Sequence, residues 1–361
     1  MLRFSRVAAA ALAAGTGLAA VTGVGSAAAS PAHHVHQVKQ LPGDYVAPLQ
    51  FAVSGRTVAV ADSFASALYL VGHEKPIATG FPPTQTEEQS GDLAGVDIEN
   101  GRIAYTTTAA DHKDTLLVVL HHGKKVLKAN LGRYERKHNP DGHVSYGVQD
   151  PSTVNPTCSQ ALLGMGVPAL RYRGQKDSHP YAVAGLPDGS WLVADAGGND
   201  ILRVDRHGRI STFAVLPAQS LHVTADLAAQ LGVPSCAGIT FRFEAVPTDV
   251  EVTRTGVYVS TLSGSFVDGR VYKVASSGHL HRLAGGIPQA TNIAVSPSGR
   301  VSVVELGVGI FRLGKHGLTQ TLALPNVAAV EWANGKLYAS TAPIAATQGK
   351  DTSPGHIVVL R

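Results

Sequence analysis

The feature that most constrains this chain is one pattern met six times: a short apolar strand, a glycine-containing tight turn, a second strand ending in a small or acidic residue, a loop, then a third and a fourth strand. The clearest copy starts at His179-Pro180-Tyr181-Ala182-Val183-Ala184, turns at Leu186-Pro187-Asp188-Gly189 and returns as Ser190-Trp191-Leu192-Val193-Ala194-Asp195. Ala196-Gly197-Gly198-Asn199-Asp200 then loops into Ile201 to Asp205, and His207-Gly208 turns into Arg209 to Ala214. Asp-Gly between two alternating strands is a strong hairpin signal, because those residues tolerate the positive φ of a tight turn.

Five further turns share the downstream pattern. They are Ser54-Gly55 before Val58 to Asp62, Asn100-Gly101 before Ile103 to Thr107, Thr255-Gly256 before Val257 to Thr261, Ser298-Gly299 before Val301 to Glu305, and Asn334-Gly335 before Leu337 to Thr341. Single four-stranded units cannot bury both faces alone, whereas a closed ring of them can. The pattern therefore predicts an all-β, six-bladed β-propeller over 37–361. The last repeat ends at Ile357-Val358-Val359-Leu360 without a fourth strand, and Gln37-Val38-Lys39-Gln40-Leu41-Pro42 resembles the outer strands Ser211 to Pro217 and Thr319 to Pro325. The N-terminal strand is expected to complete the last blade and remove an unpaired edge.

Upstream, Arg3 and Arg6 precede an Ala-rich apolar run and the small-residue string Ser26-Ala27-Ala28-Ala29-Ser30, which predicts a secretory signal peptide over 1–29 and a flexible leader over 30–36. The expected location is secreted, with no transmembrane anchor. The net charge of +4 includes those two arginines and is evenly spread, which argues against a nucleic-acid partner. Cys158 and Cys236 are the only cysteines. In an exported chain they are expected to form a disulfide between two insertions, Leu131 to Ser178 and Ala218 to Phe243, with short helices near Ser159 to Leu163 and Thr224 to Leu231.

Four segments resemble the ScyD/ScyE family of secreted, NHL-like propellers: Glu135-Arg136-Lys137-His138-Asn139-Pro140-Asp141-Gly142, Asp177-Ser178-His179-Pro180-Tyr181, Val193 to Asp200, and Val246-Pro247-Thr248. The resemblance implies a propeller and export, and it implies no particular activity. Thr261 stands where such proteins tend to carry an acid.

In a propeller, the loops before each first strand and after each second strand emerge on one face around the central channel. That rule places His179, Tyr181, Asp195, Asn199, Thr248, Asn292 and Glu305 on a shared funnel, joined by Asp177, Asp200, Asp249 and Thr291, with Asp62 and Thr341 at its margin. These side chains suit a polar ligand or, through Asp195 and Glu305, a hard cation such as calcium. The plainer reading is that Asp195 and Asn199 cap the Gly197-Gly198 turn while Thr248 and Asn292 satisfy strand amides. No G-x-S-x-G, CxxC or HExxH spacing occurs, so no catalytic residue is assigned. His33-His34-x-His36 is read as incidental, and His121-His122, Lys124-Lys125 and Tyr134 to Lys137 as surface. The expected function is a monomeric, non-catalytic binding propeller for an unidentified protein or small ligand, with no cofactor. The alternative is a calcium-dependent lactonase- or esterase-like hydrolase on the same face.

Overall fold

The structure, a computed structural model, describes residues 38–81, 91–343 and 353–360. The expected signal peptide, the leader and its histidines lie outside the described residues.

Six four-stranded antiparallel sheets follow the repeat. Blade 1 is Pro48–Ser54, Thr57–Asp62, Ala67–Leu70 and Ala78–Thr79, and blade 2 is Asp92–Glu99, Arg102–Thr108, Thr115–His121 and Lys124–Asn130. Blade 3 is Pro180–Gly185, Trp191–Asp195, Asp200–Val204 and Ile210–Val215, and blade 4 is Pro247–Thr253, Gly256–Thr261, Gly269–Val274 and Leu280–Ile287. Blade 5 is Ala290–Val295, Val301–Glu305, Gly309–Gly314 and Gly317–Ala323. Blade 6 is Val327–Ala333, Lys336–Thr341 and His356–Leu360, with Val38–Gln40 as its outer strand. First strands of successive blades pack side by side, and that of blade 6 packs back on that of blade 1, so the circuit closes. The closing strand pairs Val38 with Leu360, Lys39 with Val359 and Gln40 with Val358. Facing sides of adjacent blades bury apolar layers between them. One such layer holds Leu117 and Val119 of blade 2 against Val183, Trp191 and Val193 of blade 3.

A seventh four-stranded sheet lies outside this circuit and was not anticipated. It is built from the two insertions, in the order Arg171–Arg173, Ser145–Val148, Thr240–Phe243 and Gln219–His222. The pairing of Gly147 with Arg242 and Val148 with Phe241 joins the insertion before blade 3 to the one after it. Cys158 and Cys236 form a disulfide across the same junction, as expected. Tyr146, Leu227, Phe241 and Phe243 bury a separate apolar core around it. This roof carries three helices, α1 (Leu131–His138), α2 (Pro156–Gly164) and α3 (Ala225–Gln230). α2 and α3 coincide with the two expected helical stretches. Asn155 and Thr224 start them by accepting the Cys158 and Leu227 N–H groups.

Helix α1 corrects one expectation. Tyr134 to Lys137 is not uniformly surface, because Leu131, Gly132 and Glu135 fall on one side of a helix and that side is buried against the ring. Helical spacing of four residues brings Glu135 under Leu131, while Arg136 and Lys137 stay exposed.

Candidate functional site

Strand register shows which positions are equivalent between blades. Asp62, Thr108, Asp195, Thr261, Glu305 and Thr341 each sit opposite the opening residue of their blade's first strand. In blade 3 this position is fully committed to the fold. Asp195 Oδ2 accepts from Ser178 Oγ at 2.6 Å, and Oδ1 accepts from the His179 N–H at 2.6 Å and from those of Gly197 and Gly198 at 3.2 Å. Asp62 does the same in blade 1, accepting from the Val46 and Ala47 N–H groups at 2.8 Å. A Cβ on Gly197 would stand 2.8 Å from the His179 nitrogen, so only glycine lets this turn close onto the strand entry. Thr261 accepts from Gln219 Nε2 at 2.7 Å and thereby ties the roof to blade 4. Glu305 is half-buried, and burial raises its pKa.

One residue deeper, polar side chains bind blade to blade. Asp97 accepts from Gly185 N–H at 2.6 Å, Asp249 from Ile293 N–H at 2.9 Å and Asn292 from Val330 N–H at 2.7 Å. Asn292 also donates to Gln50 Oε1, Gln50 donates to the Thr248 carbonyl, and Thr248 and Thr291 donate to the Ala290 and Ala328 carbonyls. Thr248 and Asn292 thus belong to a belt that holds the first strands together, which favours the plainer reading for both. Further along the channel stand Glu251 and Glu331. Burial raises both carboxyls well above the usual range; Glu331, Asp249 and Asp97 add to it at Glu251, and Asp97 and Asp249 add to it at Glu331.

The channel mouth is less polar than expected. Tyr181 packs with Leu49, Ala94 and Ala328, next to the partly exposed Phe64, Ala196 and Leu306. At its edge His179 Nε2 lies 2.6 Å from Asp92 Oδ2, and His112 Nδ1 lies 2.9 Å from Asp177 Oδ1. The two imidazoles are 5.1 Å apart. Burial alone would lower the His179 pKa, but Asp92, aided by Asp177 and Asp195, holds it up at about 9. The Asp92 carboxylate thus favours the protonated imidazole over the neutral form that a general base needs.

Asn199 points away from the mouth, into the junction beneath the roof. Its Nδ2 donates to Asp141 Oδ2 at 3.1 Å and its Oδ1 accepts from Val246 N–H at 3.0 Å. Tyr146 donates to the same Asp141 oxygen and Tyr172 to Glu244 Oε1. Six carboxyls gather here: Glu135, Asp141, Asp177, Asp195, Asp200 and Glu244. Glu135 is 1% exposed and Asp200 is fully buried, yet both oxygens of each lack a hydrogen-bond partner. Burial first, then Asp195, Asp141 and Asp177, push the Glu135 carboxyl up to about 9. Burial and the charges of Asp195, Glu135 and Asp141 put Asp200 well above the carboxylate range. Sequence reading missed Glu135 and Asp141, although both lie in segments that carried the family resemblance. A buried acid on a short helix leaves no local signal distinct from a surface one.

Between the roof and blade 4 lies an apolar cavity of about 60 Å³, lined by Met165, Leu231, Phe241, Phe243 and Phe266 among others. Small-molecule sites run to about 300–1,000 Å³. This one is several times smaller.

No protein-family model matches the chain, and no curated protein does. Solved structures do. An oxidoreductase of Thermus thermophilus, assigned as a glucose dehydrogenase, is 14% identical over 90% of this chain and 99% of its own, with a TM-score of 0.53. A gluconolactonase of Xanthomonas campestris is 11% identical over 90% of this chain and 89% of its own, with a TM-score of 0.50. Virginiamycin B lyase of Staphylococcus aureus aligns at 13% identity over 84% and 81% of the two chains, with a TM-score of 0.48. The first two likenesses agree with the chain's own topology on a β-propeller, and at such identities they speak for the fold alone.

Proposed function

We propose that this chain is a secreted, non-catalytic propeller of the ScyD/ScyE type that binds a protein or small ligand on the face bearing the channel mouth and the roof. The observation that carries this reading is the state of the polar groups on that face. Asp62, Asp195, Asn199, Thr248 and Asn292 all spend their hydrogen bonds inside the fold, and the partly exposed side chains beside the buried Leu49 and Tyr181 are the apolar Phe64 and Leu306. Such a face offers shape and apolar contact rather than a reactive group. His179, paired with Asp92, and the half-buried Glu305 supply the polar rim.

A photo-crosslinking residue at Leu306 tests this, with one at Lys315 as control, in the opposite turn between Gly309–Gly314 and Gly317–Ala323. Adducts formed with intact producing cells or their medium from Leu306 and not from Lys315 are the expected result. Equal labelling from both, or hydrolysis of a lactone and ester panel by the metal-loaded protein, counts against it. The hydrolase reading has one observation in its favour, the acids Glu251 and Glu331 in the channel. Glu331→Gln should abolish turnover if that reading holds.

A further inference from the structure

We propose that the junction beneath the roof is a binding site for one divalent hard cation, calcium, with the carboxylates of Glu135 on α1 and Asp200 at the start of the third strand of blade 3 as its charged ligands. The donor chemistry is oxygen only, as calcium prefers. Both side chains are buried, and none of their four carboxylate oxygens has a hydrogen-bond partner. They face the same spot: a Cβ built on Gly198 would lie 3.3 Å from Glu135 Oε2 and 3.4 Å from Asp200 Oδ1. Glycine at 198 keeps that space open between them.

Neither carboxyl of the pair has a buried cation of its own beside it. Asp141, Asp177, Asp195 and Glu244 add negative charge around the pair; the nearby imidazoles of His112 and His179 are engaged with Asp177 and Asp92, and Lys176 and His143, which act on Glu135 and Asp141, are exposed. A buried ionised carboxylate is costly unless paired, so two adjacent ones call for a cation or for protons. Among the described residues no three acidic, histidine or cysteine side chains converge on one metal-sized point. Two carboxylates therefore supply the charge, and neutral oxygens complete the shell. Asn139, four residues after Glu135 and at the end of α1, has a buried Oδ1 without a partner. This site is distinct from the funnel acids Asp195 and Glu305, because Asp195 already accepts four hydrogen bonds.

The test uses the full exported chain purified without chelator. Calcium at a hundredfold excess over its Kd should raise the melting midpoint by roughly 5 °C relative to chelated protein. Terbium, a calcium substitute, should bind with luminescence excited through tyrosine and be displaced by calcium, since Tyr146 hydrogen-bonds into the cluster at Asp141. Glu135→Gln and Asp200→Asn should each abolish the shift and the luminescence, while Glu305→Gln keeps both. If neither ion binds the wild type at neutral pH, or if Glu305→Gln removes binding and Glu135→Gln leaves it, the proposal is overturned. The wild-type measurements stand even if a variant fails to fold. They are independent of the crosslinking experiment, so the binding face and the cation site fail or survive separately.

Discussion

The channel belt and the junction beneath the roof bury the same kinds of side chain and treat them in opposite ways. In the belt, Asp97, Asp249, Asn292 and Gln50 meet backbone or amide partners, most of them in a neighbouring blade. In the junction, Glu135 and Asp200 meet none. A satisfied buried polar group adds specificity and order to a fold, whereas an unsatisfied one costs its full desolvation. The contrast teaches that burial and acidity alone do not mark a site. Which lone pairs remain unspent does.

The largest effect that can sharpen this contrast is at Asp195, an acid of the junction whose lone pairs are spent as those of the belt are. Asp195→Ala leaves three backbone N–H groups and Ser178 Oγ without their acceptor, and should destabilise the folded chain by about 3–5 kcal/mol. Denaturant titration measures it, and a loss under 1 kcal/mol would mean that the turn does not depend on this carboxylate.

The roof is expected to be the weaker region once its staple is removed. Opening the Cys158–Cys236 bridge, which closes a separation of 78 residues, should cost up to about 4 kcal/mol on the chain-entropy view. Hydrogen exchange should then speed up in Ser145–Val148 and Thr240–Phe243 while Trp191–Asp195 stays protected. Uniform acceleration would show that roof and ring unfold as one.

Titration should separate this protein from the common pattern of acid denaturation. Asp97 is raised to about 6, Asp249 and Glu244 to about 7, each chiefly by burial, and His179 to about 9 by its acidic neighbours against the effect of burial. In all four the folded state holds protons more tightly than the unfolded chain, so stability falls as pH rises. The carboxyls act from about pH 4 to 7. His179 contributes fully below its free value of about 6.5 and loses that contribution as pH rises through about 9. Asp205, held near 2 by Arg209, acts the other way, but only below about pH 4. The melting midpoint should therefore be higher at pH 5 than at pH 8.5 in chelated protein. Asp92→Asn should remove the His179 part, on the order of 3 kcal/mol at most. A midpoint that climbs toward pH 8.5 would contradict the burial described here.

The smallest effects address the comparison directly. In chelated protein, Asn292→Leu strands the Val330 N–H and should lower stability by about 2 kcal/mol, whereas Glu135→Gln neutralises an unpaired acid and should raise it by about 1 kcal/mol. Changes of the same sign would erase the distinction between belt and junction.

Much of the ring was legible in the chain itself, because its cues are local. Asn100-Gly101, Asn334-Gly335 and Asp188-Gly189 adopt the positive-φ turns that their chemistry favours, Thr224 caps its helix, and the two cysteines pair. The closing strand was legible too, since a fourth strand was missing at one end and spare at the other. Tertiary structure alone decided the rest. Ser145–Val148 and Thr240–Phe243 have no local sign that they pair across nearly a hundred residues, and no periodicity in α1 tells Glu135 from Arg136 until blade 3 is packed beneath it. Nor does sequence phase reveal that Asp195 and Asn292 have spent their hydrogen bonds while Glu135 and Asp200 have not. Turns and caps are set by neighbours along the chain, whereas a buried carboxyl's partner is set by whatever distant backbone arrives beside it.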